Sequence, residues 1–167
     1  MEPVSFELSS GFFYISWIYA YYTTTRIPWL ILLFLLPISS YLCNTNIKNP
    51  TYYIFDQTII VLISCTYLFY QDMVFLPSLI ITCFLFELFY KGKLMYVVLI
   101  AFILQNICAC TLFGYVELAL CAICVLTSSY CYYKRDPLKY SYAYYTILWH
   151  AACVGMLMLG TRTLIDT

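Results

Sequence analysis

The sequence predicts an all-α integral membrane protein: a bundle of seven transmembrane helices joined by short loops. Three observations predict it. Of the 167 residues, 64% are hydrophobic and 10% charged, against about 45–50% and about 25% in soluble domains. The charges fall in small clusters, and the apolar runs between them are close to the roughly 20 residues that one helical crossing of a bilayer core requires. Proline, glycine or charge punctuates the junctions between those runs.

The first helix is placed at about 6–25. No basic residue precedes it and no small-residue cleavage site stands out, so it reads as part of the fold and not as a secretory signal. The second, at about 28–45, opens on Pro28, and the third, at about 51–70, follows Pro50. A first helical turn tolerates proline because the missing N–H would have had no partner there. The fourth, at about 74–90, ends before Lys91-Gly92-Lys93, and the seventh, at about 141–160, follows Arg135-Asp136-Pro137. The fifth (about 94–114) and sixth (about 116–133) are divided only by Gly114 and Glu117, so six spans with one long helix is the alternative. What remains is too short for a soluble domain, and residues 1–167 read as one transmembrane domain.

Lys48, Lys91, Lys93, Lys134, Arg135 and Lys139 lie in alternate loops, six of the eight Lys and Arg residues, with Arg26 and Arg162 opposite. The positive-inside rule puts that face, and the N-terminus with it, in the cytosol; the assignment inverts if the fifth and sixth spans are one helix. Spans of about 20 residues or fewer suit a thin bilayer of the endoplasmic-reticulum or another endomembrane type.

Several functions are excluded. There is no phosphate-cradling glycine loop, no HExxH and no basic stripe for nucleic acid. Lys139 precedes the last helix, which therefore has no lysine for a retinal Schiff base. Among the nine cysteines, Cys108-Ala-Cys110 and Cys121-Ala-Ile-Cys124 have the look of two ligand pairs. They lie in apolar runs without a histidine cluster, where free thiols behave as small hydrophobes. Nineteen tyrosines with Trp17, Trp29 and Trp149 fit packing and interfacial belts, and the tyrosine-rich stretch Lys139–His150 reads as such a belt rather than as an aromatic cage.

Ionisable groups inside spans are costly, and by default they face the bundle interior and mark function. Two stand out: Asp56 and His150. Glu87 can pair with Lys91 at i, i+4, and Glu7 and Glu117 read as interfacial. Asp56 lies about two turns into the third helix and His150 about two turns into the seventh, at the same depth from the loops that carry Lys48 and Lys134. The second helix ends on that face, bringing Ser39, Ser40, Cys43 and Asn44 to the same level, while Pro37 would kink it and help open a cavity.

These residues resemble the superfamily of seven-helix membrane proteins that includes the alkaline ceramidases, the progestin and adipoQ receptors and myomaker. The pattern is Ser-x-x-x-His ending helix two, Asp near the start of helix three, and His-x-x-x-His in helix seven. Ser39 and Cys43 of "SSYLC" fall on the first pair, Asp56 follows at close to the family's spacing, and Thr146 and His150 of "TILWH" fall on the last pair. Trp149 resembles the tryptophan before the final histidine of the ceramidases. The resemblance implies a zinc-dependent hydrolase of lipid amides of the sphingolipid type, with catalytic roles for Ser39 and Asp56 and supporting roles for Thr146 and Trp149. Two of the family's three histidines are replaced here, so a zinc site would rest on Cys43, His150 and Asp56. Two other readings stand beside it: a relative without turnover that binds lipid or a membrane partner or takes part in membrane remodelling or fusion, its Asp56–His150 pair fixing helix packing, and a proton-relaying transporter or channel.

Overall fold

A computed structural model describes residues 8–46, 49–90, 94–134 and 142–165. Lys48, Lys91, Lys93, Arg135 and Lys139, which carry the predicted orientation, lie outside them, as does Glu7. Every element among the described residues is helical. A 3-10 turn, Leu8–Phe12, leads into α1 (Phe13–Thr23), followed by α2 (Ile27–Thr45), α3 (Pro50–Tyr70), α4 (Phe75–Phe89), α5 (Leu94–Cys110), α6 (Tyr115–Lys134) and α7 (Tyr142–Thr163).

Local chemistry accounts for the breaks. Pro28 sits in the first turn of α2 and Pro50 opens α3, where the Asn49 side chain caps the helix by accepting from the Thr51 N–H at 3.0 Å. The α3 terminus closes as a Schellman turn: the Met73 N–H donates to the Leu68 carbonyl at 3.0 Å and that of Asp72 to Phe69 at 3.1 Å. Asp72 takes the left-handed position, φ 58°, that glycine usually fills. After Cys110 the backbone tightens, with Thr111 and Leu112 bonding back to Cys108 and Ala109, so α5 and α6 are two helices and not one.

The first predicted helix differs from what forms. An α-helix covers only the 11 residues of α1, and Ser9-Ser10-Gly11 before it are wound as a 3-10 turn. The two serine hydroxyls are committed to other helices, and glycine is a poor α-former, so the chain enters the bundle on a tighter pitch.

Four helices, α2, α3, α6 and α7, are long and apolar enough to cross a membrane, with 19, 21, 20 and 22 residues. The 15-residue α4 and 17-residue α5 are apolar but shorter. Helix α3 is central, packing on α2, α4 and α5, while α7 lies between α1 and α6. The core is built from Trp29, Leu33 and Leu36 of α2, Ile63, Tyr67 and Leu68 of α3, and Met156 and Leu157 of α7. Helices α6 and α7 approach closely at Gly155, where a Cβ would stand 2.8 Å from the Cys124 sulfur. The outer surface is apolar too: Phe69, Phe75, Phe89 and Leu126 are all exposed.

Candidate functional site

The C-terminal half of α2, the start of α3 and the first half of α7 meet at one end of the bundle, and the 3-10 turn packs on α2 and α7 there. Asp56, one of the two intramembrane ionisable residues picked out above, is buried, 7% exposed. Ser39 Oγ lies 3.0 Å from Asp56 Oδ1 and also 3.0 Å from the Leu36 carbonyl, so its single hydrogen is shared between them. Gln57 Nε2 donates to the other carboxylate oxygen, Oδ2, at 3.3 Å. Pro37, two residues before Ser39, leaves the Leu33 carbonyl without its helical donor and loosens α2 where it must meet α3.

His150 is fully buried, and its Nδ1 stands 2.6 Å from Ser9 Oγ. The edge-on ring of Phe13 lies 5.2 Å from the imidazole, centroid to centroid, and the Trp149 ring 5.0 Å away on the same helix. Ser10, beside Ser9, bonds to Ser40 across 3.1 Å, and Asn44 Nδ2 donates to both hydroxyls at 3.3 Å. The turn thus ties α7 to α2 through adjacent serines, and α2 passes the network to α3 through Ser39. Each member is short and polar, so the network crosses the bundle end without displacing much apolar packing.

The predicted residues therefore divide. Ser39 and Asp56 are in direct contact, and His150 joins the same end through Ser9. Thr146 is buried one turn before His150, but its hydroxyl donates to the Tyr142 carbonyl of its own helix at 2.8 Å. Trp149 packs on Tyr132 of α6 at 6.0 Å. Cys43 is half-buried, and Tyr53 lies within electrostatic reach of both Cys43 and Asp56. The tyrosines near α7 interlock with α6 in pairs, Tyr130 with Tyr145 and Tyr132 with Trp149, along a seam. Lys91, the expected partner of Glu87, lies outside the described residues. Glu117 pairs with Arg162 at 2.5 Å, linking the start of α6 to the end of α7.

Ser9 and Ser10 were not among the expected site residues. Their signal was present as a polar Ser-Ser-Gly triplet inside an otherwise apolar first span, and it means little until the fold shows which helices the hydroxyls face.

A catalytic zinc takes three protein ligands, yet among the described residues no group of three His, Cys, Asp or Glu side chains converges as a metal site. Cys43, Asp56 and His150 do not make such a group; Asp56 offers its oxygens to Ser39 and Gln57, and His150 its Nδ1 to Ser9. The two cysteine pairs do not form one either. No family model matches the chain, and neither curated proteins nor solved structures give a match.

Proposed function

We propose that the chain is a seven-span membrane protein on the ceramidase-type plan that binds lipid or a membrane partner without zinc-dependent turnover. The observation that carries this reading is the bonding of the polar centre between helices: Ser39 and Gln57 hold the Asp56 carboxylate, and Ser9 holds the His150 ring through Nδ1. The Ser39–Asp56 and Ser9–His150 bonds each join different helical elements, and polar contacts of this kind bind membrane helices together. The apolar outer surface and the four long apolar helices support the membrane setting. At 1.5 Å per residue, the 15 residues of α4 and 17 of α5 span about 22 and about 25 Å, which suits a thin endoplasmic-reticulum-type bilayer. The proposed orientation puts the N-terminus and the Ser/Asp/His end at the cytosolic face.

Metal content tests the reading. Detergent-purified protein is analysed by elemental mass spectrometry, wild type beside His150→Ala and Cys43→Ala, and each sample is assayed on ceramide. The expected result is no stoichiometric zinc and no fatty-acid release from any of the three. One zinc per chain, lost in both variants, would reject the proposal and restore the zinc lipid-amide hydrolase that the family resemblance implies.

A further inference from the structure

Four of the cysteines that the polar centre leaves unused, Cys108, Cys110, Cys121 and Cys124, lie towards the opposite end of the bundle. Cys110 is the last residue of α5 and Cys121 lies in the second turn of α6, and their sulfurs are 3.6 Å apart. Cys121 is buried, whereas Cys110 is only half-buried, beside the 111–114 turn. Cys108, two residues back on α5, belongs to the apolar core, and Cys124, one turn on along α6, stands against Gly155 of α7. Only one pair of the four is therefore placed to react. A disulfide needs sulfurs about 2.05 Å apart, and side-chain rotation at a helix terminus can supply the roughly 1.5 Å of closure.

We propose that Cys110 and Cys121 form a disulfide that staples α5 to α6 on the non-cytosolic side of the membrane. The side follows from the proposed orientation, which turns the α5–α6 connection away from the cytosol and towards compartments where disulfides form and persist. The pairing follows from geometry alone. The oxidant is a disulfide-bearing molecule of that compartment, a protein dithiol oxidase or oxidised glutathione. The accessible Cys110 thiolate attacks one of its sulfurs and expels a thiolate. The Cys121 thiolate then displaces the second half, so the two cysteines lose two protons and two electrons while the oxidant becomes two thiols. Elsewhere α5 and α6 touch little, each packing mainly on other helices, so a bond at their shared turn constrains a junction that packing leaves open.

The test is peptide mass spectrometry on the full-length protein, with N-ethylmaleimide added to cells before lysis to trap free thiols. The expected product is a linked Cys110–Cys121 peptide, lighter by two hydrogens than the dithiol and carrying no label. It is lost in Cys110→Ser and in Cys121→Ser and kept in Cys108→Ser and Cys124→Ser. Full labelling of both cysteines in the wild type would overturn the proposal, and it needs no variant to fold. Oxidised glutathione added to a detergent sample then finds the fault: closure would mean that the orientation was wrong, and failure to close that the geometry was.

Discussion

The two ends of the bundle are both held by buried polar side chains, but they are built from different chemistry. At one end Asp56 and His150, both ionisable, are bound by Ser39, Gln57 and Ser9, with Ser10, Ser40 and Asn44 completing the link. At the other, every buried partner is neutral, and the Glu117–Arg162 ion pair there is more exposed. Trp29 Nε1 donates to Thr161 Oγ1 at 3.1 Å, the Tyr67 hydroxyl meets Thr163 Oγ1 at 2.6 Å, and Ser64 donates to Gln105 Oε1 at 3.0 Å. These join α2, α3, α5 and α7 as the Ser/Asp/His network joins its own helices, and the Trp29 and Tyr67 rings add contact at 6.0 Å. A buried polar network is therefore no sign of a site in itself. The ionisable end is distinguished by its cost, since a charge-bearing side chain within a span demands a reason that a threonine does not.

The largest effect should come from the neutral end. Trp29 is fully buried, so Trp29→Ala leaves a cavity as well as an orphaned Thr161 contact. A loss of about 3–5 kcal/mol is expected from large-to-small core replacement, read as the change in unfolding free energy in mixed micelles. A loss below that from the smaller His150→Ala would agree with the comparison.

His150→Ala should cost about 1–3 kcal/mol, the penalty for leaving a buried partner such as Ser9 unsatisfied. His150→Gln, which restores a polar group, should recover part of it. If His150→Ala were neutral for folding yet abolished a measured activity, the ionisable end would be a working site and not a clamp.

The smallest and most discriminating effect is pairwise. A double-mutant cycle on Ser39→Ala and Asp56→Asn should give a coupling of about 0.6 kcal/mol, within the range up to about 1.7 kcal/mol seen for membrane hydrogen bonds. The matching cycle on Tyr67→Phe and Thr163→Val should give a similar value. Equal couplings would make both ends structural, while a much larger one at Asp56 would point to a carboxylate held charged for use.

Much of the ionisable end was legible in the sequence. Asp56 and His150 stand out because carboxylate and imidazole are rare in apolar runs, and helical rise alone put them at one depth with Ser39 and Ser40. The neutral end was not legible. Trp29 reads as an interfacial anchor, Tyr67 is one tyrosine among nineteen, and Gln105 stands beside a second amide, Asn106, in an apolar helix. Nothing local distinguishes a tyrosine that faces lipid from one that meets a threonine 96 residues away.

By itself the sequence determined the all-helical class, the helix breaks at Pro28, Pro50 and Gly114, and the two costly groups, because each follows from apolar run length, backbone chemistry or the expense of burying charge. Only the tertiary structure decided the partners. Ser9 meets His150, Ser39 is bonded to Asp56, and Cys110 faces Cys121 rather than Cys124. Those choices depend on how each helix is rotated about its own axis, and in an almost uniformly apolar chain the rotation is set by contacts between helices, which no single segment encodes.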